Sequence, residues 1–463
     1  MTSTKKHAKQ EASGIKEEKP PSKESSSHKL LVPVALFLLA FIIRYATING
    51  GLYHTDSVIG VTAAEATYAT HEMHYMHGTG YPGEVIIYVV FYAIHRALTG
   101  ASSAEFAANF ASVVFGSLCI PAFYYFIKEL FGDKKTAAYA ALLLTFLPVQ
   151  WAISTYAKSN GPSLFFMAAA STLALQAGKD KSWKKKAAIG LLIGGISVTR
   201  IDDLLYMAIV PLLYYRGRFP LALKQEGEIK RIRFTLPVGE LIKDLGLLFL
   251  PALIIAFPLY YPFWSKVGLS YIQGISTENR WLGIYHEVTT PLSIHWLTIS
   301  TTYLGYALAL AGVYLLSKRD KYMTTVLAFW FLLVFDYQAN LTSTTARRVA
   351  PAFYPLLALI AYAISNLPEY FRKQNPSWKW IPTAGALLLF IYLPVNQPFD
   401  PTITIPLLIA LMVAAAIILP TTKSIVDLTQ DTPSILTLII ITALFFNNTY
   451  PIEEFLHTYS GPK

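Results

Sequence analysis

Apolar residues in this chain come in long runs divided by short polar segments, and the length of the runs says what they are. Stretches of about 15 to 23 residues can cross a bilayer as helices. They recur near 30–47, 104–127, 136–152, 161–177, 185–200, 202–216, 245–263, 297–316, 322–338, 350–366, 380–395, 402–420 and 434–447. That pattern predicts an all-α integral membrane protein of about 13 spans. One further run, 82–98, is long enough to be a fourteenth and opens on Pro82-Gly83. Residues 1–29 are rich in Lys, Glu and Ser with Pro20-Pro21 and no apolar period, which predicts a disordered basic tail. The run that follows is too late and too long for a cleaved leader, and predicts a retained anchor.

Charge orients these spans. With 82–98 lying along the outer surface as a juxtamembrane or re-entrant helix, most of the 38 basic residues fall on one side. They include the tail lysines, Lys128, Lys134 and Lys135, the lysines of 178–186, the basic residues of 216–243, and Lys318, Arg319 and Lys321. Counting 82–98 as a full span would turn every later loop over, against the preference of Lys and Arg for the cytoplasmic side. The N-terminus is therefore expected in the cytoplasm. The chain divides into the tail 1–29, a transmembrane core 30–370 with a first outer loop 48–103, and further transmembrane helices over 371–463. The short runs around Thr199-Arg200-Ile201-Asp202-Asp203 read as a tight outer hairpin.

Composition agrees with a membrane protein, since 54% hydrophobic against 14% charged residues excludes an ordinary soluble globule. The net charge of +10 follows topology instead of forming a nucleic-acid-binding face. The one cysteine, Cys119, excludes an intrachain disulfide. No charged side chain falls at the centre of a span, whereas Arg44, Lys158, Arg200, Asp202, Asp203, Arg280, Asp336, Arg347 and Arg348 fall at outer ends and outer loops. A transporter of lipids or solutes would place charge at the midplane. An outer rim of charge suits chemistry on a substrate whose head group lies at the interface and whose tail stays in lipid.

The first outer loop carries His54-Thr55-Asp56-Ser57, then Gly80-Tyr81-Pro82-Gly83-Glu84. Later come Thr199-Arg200-x-Asp202 and Arg348-x-x-Pro351-x-x-x-Pro355. In this order and on this side, these segments resemble the GT-C fold of polytopic glycosyltransferases, and in particular protein O-mannosyltransferases and their relatives. The helix after Tyr81-Pro82-Gly83 is similar to one in the first loop of the oligosaccharyltransferase catalytic subunit. The resemblance covers roughly residues 30 to 370. It implies transfer of one sugar from a polyprenyl or dolichyl phosphate to a glycan, lipid or protein acceptor on the extracytoplasmic or lumenal face. Asp56 would be the base, Arg348 with Arg347 or Arg200 would hold the lipid phosphate, and His54, Tyr81, Glu84, Lys158 and Asp202 would complete the substrate site. Another lipid-substrate transferase and a membrane transporter are the alternatives. The second outer loop, Ser154 to Asn160, has no acidic residue where many relatives carry one, which puts a bound divalent metal in doubt.

Each residue also has a plainer role open to it. Asp56 fits a helix N-cap, Arg200 with Asp202 and Asp203 fits an ion pair closing a hairpin, and Arg347 and Arg348 fit an anchor to lipid head groups. Arg347 is the expected silent neighbour if it faces bulk lipid. His71, His74 and His77 recur every three residues and could line one helix face as metal ligands. The sequons at Asn340 and Asn447 permit glycosylation only.

Overall fold

The computed structural model describes residues 26–52, 54–76, 81–101, 103–216, 221–226, 229–234, 237–267, 289–339 and 346–374. The expected spans at 380–395, 402–420 and 434–447, Gly80 of the first motif, His77, Arg280 and both sequons lie outside these residues. The helices are α1 (Ser26–Ala46), α2 (Thr55–Thr70), α3 (Pro82–Thr99), α4 (Ala104–Phe131), α5 (Lys134–Thr145), α6 (Pro148–Ala152), α7 (Asn160–Asp180) and α8 (Trp183–Thr199). They continue as α9 (Ile209–Tyr214), α10 (Val238–Val267), α11 (Thr289–Arg319), α12 (Lys321–Ala339) and α13 (Phe353–Gln374). Short 3-10 helices over Ile201–Ala208 and Ala346–Ala352 lead into α9 and α13.

Two expected spans are broken, each for a local reason. The run 136–152 stops at Thr145 and restarts at Pro148. Proline disfavours the helical region for the residue before it, and Leu147 is extended at φ −67° and ψ 122°. The run 202–216 opens on Arg200 in an extended conformation, φ −157°, and a 3-10 turn, so Thr199–Asp203 is the tight turn that the sequence predicts. The basic segment after α9 holds a departure from an all-helical chain: β1 (Leu221–Glu226) pairs antiparallel with β2 (Ile229–Phe234), Leu221 opposite Phe234.

Among the described residues, Ala104–Phe131, Val238–Ser265 and Arg347–Leu367 are long and apolar enough to cross a bilayer by themselves, and Leu30–Ala46 is a shorter apolar helix. Of these, Arg347–Leu367 is largely enclosed by the other helices. α4 packs on α7, α7 on α8, α8 on α10, and α11 on α13, around a core that includes Phe123, Phe126, Trp330 and Tyr354. α10 by contrast exposes Leu250, Leu253, Ile254 and Phe257.

A second, smaller core seats the first outer loop. Val61 and Ala64 of α2, Met76 beyond its end, and Val85, Tyr88 and Tyr92 of α3 pack on Ala104, Ala107, Ala108 and Ala111 of α4. α3 is helical where 82–98 was expected to be, and it buries Val85, Tyr88 and Tyr92 while exposing Ile86, Val90, Ile94 and Leu98 at intervals of four. Its start is fixed by Pro82 at the first turn, behind Tyr81 in the left-handed region at φ 36°. Gly83 is required there, since a Cβ would meet the Val198 backbone carbonyl carbon of α8 at 2.9 Å.

Candidate active site

The site forms where the starts of α2, α3, α7 and α13 meet one loop, 153–159. That loop is held from several sides. Thr155 O accepts from Asn49 N at 3.0 Å, Ala157 N donates to Asn109 Oδ1 at 2.7 Å, Ala157 O accepts from Ser57 Oγ at 2.6 Å, and Lys158 N donates to Ser112 Oγ at 3.2 Å. Asn109, fully buried in α4, also donates to Asn49 O and Gly51 O. Gly116 lets α4 approach this loop, because a Cβ there would overlap Ser154. The sequence reading missed Asn109; its one signal is a buried amide inside an apolar run, a group that must be hydrogen-bonded.

On this frame Asp56 is the hub. Its Oδ2 accepts from Lys158 Nζ at 2.5 Å and from Arg347 Nη2 at 3.0 Å. His54 Nδ1 lies 3.4 Å from the same oxygen, and Arg347 Nη1 lies 3.1 Å from His54 Nε2. The Asp56 side chain is 24% exposed, whereas Lys158 is 3% exposed, so the carboxylate has an open side and its lysine partner does not. Asp56 is not the helix cap: His54 is, its Nδ1 accepting from Asp56 N at 3.0 Å. Asp56 therefore sits in the first turn of α2, where the helix dipole favours a negative charge.

Glu84, 1% exposed, lies in the first turn of α3 and accepts from Tyr88 OH at 2.7 Å. Burial pushes its carboxyl above the usual range, opposed by the charge of Lys158 and the Tyr88 hydrogen bond. Burial likewise lowers Lys158 to about 7, helped by the like charge of Arg347 and opposed by Asp56 and Glu84.

A second cluster adjoins the first. Arg200 Nε lies 3.3 Å from Asp203 Oδ1 and its Nη2 lies 3.4 Å from Asp202 Oδ2. Asp203 also accepts from Ser163 Oγ, so the hairpin ion pair expected as the plainer role is present. Asn160 joins the two clusters, accepting from Arg200 Nη1 at 3.5 Å and donating to Arg347 O at 3.2 Å. Tyr81 and Asp202 act electrostatically on both Arg200 and Arg348.

The structure thus places every candidate in one of two linked groups: Asp56, His54, Lys158, Arg347 and Glu84, then Arg200, Asp202, Tyr81 and Arg348. Arg347, which was to be a silent neighbour only if it faced bulk lipid, is 8% exposed and bonded to Asp56.

The donor set does not suit a divalent cation. Asp56 is already held by two cations, Glu84 takes the Tyr88 hydroxyl, and no group of three His, Cys, Asp or Glu side chains with metal-binding geometry occurs among the described residues. His74 instead meets Thr70 Oγ1 at 3.1 Å on the surface.

The helical bundle that carries these two clusters has a fold similar to solved structures of GT-C glycosyltransferases. ArnT from Cupriavidus metallidurans bound to undecaprenyl phosphate superposes with a TM-score of 0.58 at 14% identity, covering 94% of this chain and 78% of that one. Its apo form gives 0.55 at 15% identity, with the same coverage. Residues 34–199 match the family of dolichyl-phosphate-mannose-protein mannosyltransferases. The expected resemblance to GT-C and O-mannosyltransferase proteins is therefore present, the family match spanning α1 to α8 and so including Asp56, Glu84 and Lys158. Among curated protein sequences none matches the chain.

Proposed function

We propose that this chain is a membrane glycosyltransferase that moves a single sugar from a polyprenyl- or dolichyl-phosphate donor to an acceptor hydroxyl at the outer face of the membrane. The observation that carries the reading is one partly exposed carboxylate, Asp56, flanked by buried cations at the end of an apolar bundle. Transfer needs a group to take the acceptor's proton and cations to stabilise the departing phosphate. Asp56 takes the proton. Arg347, with Arg348 and Arg200 beside it, faces the phosphate. The mannosyltransferase match favours mannose as donor sugar, and ArnT, the similarly folded protein, is described bound to undecaprenyl phosphate. The acceptor is a protein, lipid or glycan.

The direct test is incubation of purified protein with a panel of radiolabelled polyprenyl-phosphate sugars. Label should move from the lipid phase to an acceptor with at least one donor, and mannosyl donors should be strongest. Transport of label across a sealed vesicle wall without cleavage of the donor would replace the reading with a transporter.

Sidedness is tested separately. With Cys119 buried, a cysteine at Ser182, in the turn between α7 and α8, should be shielded from impermeant maleimide in intact cells. One at Glu72, after α2, should label. Reversal of the two would place Asp56 on the cytoplasmic face.

A further inference from the structure

We propose that Lys158 is the built-in cation of this site: its ammonium holds Asp56 where a divalent ion would otherwise be held, so that the chain works without a metal. The inference rests on the reading of Asp56 as the base, and it goes beyond that reading by assigning the loop 153–159 a job. The loop's backbone is tied to Asn49, which follows α1, to Ser57 of α2 and to Asn109 and Ser112 of α4 by hydrogen bonds that run up to Lys158 N itself, which fixes the point from which the side chain starts. From there Nζ reaches Asp56 Oδ2 at 2.5 Å, in a pocket that leaves the residue 3% exposed.

Charge balance argues the same way. Asp56 and Glu84 supply two negative charges, and Lys158 and Arg347 supply two positive ones. A divalent ion added among them would meet two fixed cations at short range in a poorly screened site, where like charges repel strongly. It would also have to displace Lys158 from the one carboxylate that has an open side.

Glu84 gains a purpose in this arrangement. During transfer the acceptor oxygen forms a bond to the anomeric carbon as the bond from that carbon to the phosphate oxygen breaks. The electron pair leaves with the phosphate and the acceptor's proton goes to Asp56. Asp56 then no longer balances Lys158. Glu84, buried at the start of α3 and acting on Lys158 as a negative neighbour, is the partner that remains to the ammonium in that step. Lys158 acts through Asp56 and does not touch the substrate, which makes it a positioning residue.

The facing charges on Lys158 are Asp56 of α2, Glu84 of α3 and Arg347 ahead of α13. With its value lowered to about 7, wild-type transfer should decline as pH rises past neutrality and the ammonium is lost. Lys158→Arg, whose charge does not titrate in that range, should hold its activity to higher pH.

The decisive experiment measures Mn2+ binding by the loss of the free-ion electron spin resonance signal, alongside transfer in EDTA. Every variant is first checked for normal elution in detergent. The wild type should bind no Mn2+ and transfer undiminished in EDTA. Lys158→Met should lose about ten- to hundredfold in turnover, the size of a lost charged hydrogen bond, with no recovery on adding Mn2+. Lys158→Glu should take up Mn2+ between its carboxylates and regain transfer with it. Stoichiometric Mn2+ binding by the wild type, sensitivity of its transfer to EDTA, wild-type turnover in Lys158→Met, or no Mn2+ uptake by Lys158→Glu would each overturn the proposal. The binding measurement needs no donor, so its result stands even if the transferase reading fails.

Discussion

Asp56→Asn should abolish sugar transfer while the protein still folds and still binds its donor. The amide can accept from Lys158 and Arg347 with its oxygen, so the geometry around Oδ2, at 2.5 and 3.0 Å in the wild type, has a near-isosteric replacement. What it cannot do is take a proton. Loss of a general base typically costs about 100- to 10,000-fold in rate, which a radiolabel assay resolves easily. Removing the charge would leave a cation buried without its partner, ordinarily a severe penalty. Here the penalty is reduced, because Glu84 remains as a second negative neighbour of Lys158. A helix-capping role is already excluded by His54, which occupies that position. Turnover by Asp56→Asn within a factor of about ten of wild type would remove Asp56 from the mechanism, since general-base loss costs more than that.

The second large effect is expected at Arg347. Arg347→Ala removes the contacts to Asp56 at 3.0 Å and His54 at 3.1 Å together, and it leaves the first outer loop without its tie to the helix ahead of α13. A charged hydrogen bond such as the one from Arg347 to Asp56 contributes about 1.5 to 3 kcal/mol. Turnover should therefore fall by roughly ten- to a hundredfold or more. Arg347→Lys should restore part of it, because an ammonium cannot span two partners as a guanidinium does. Arg348→Ala is the comparison. Its electrostatic neighbours are Asp202, Arg200 and Tyr81, so its loss should weaken donor affinity more than the turnover of bound donor. Isothermal donor titrations beside single-turnover rates separate the two. Equal and unimpaired behaviour of both alanine variants would move the phosphate site away from this turn.

Much of the architecture was legible in the chain because its causes are local. A long apolar run has one stable form in a bilayer, a helix that satisfies its own backbone, and α1, α4, α7, α8, α10, α11, α12 and α13 lie where such runs predict them. The start of α3 could be read from Pro82-Gly83. Pro148 marked a break that the span reading passed over, although the rule for the residue before proline was available. The candidate residues were legible as a set too, since charge at helix ends is conspicuous in so apolar a chain.

What the sequence could not decide is which of those charges meet. Lys158 and Asp56 are 102 residues apart, and Arg347 and Asp56 are 291 apart. No periodicity encodes such a pair; it exists only once α2, α7 and α13 start at one end of the bundle. The choice between Arg347 and Arg348 shows the limit most sharply. They are adjacent on a 3-10 turn, where about three residues make one revolution, so consecutive side chains point roughly 120° apart. A rotation of that size is set by how the turn packs on its neighbours, and Asn160 fixes it here by donating to Arg347 O. The chain's own pattern determined a bundle with a charged rim, because burial in lipid acts on each segment separately. Only the tertiary structure decided that Lys158 and Arg347 share Asp56, because that depends on where three distant helix starts converge.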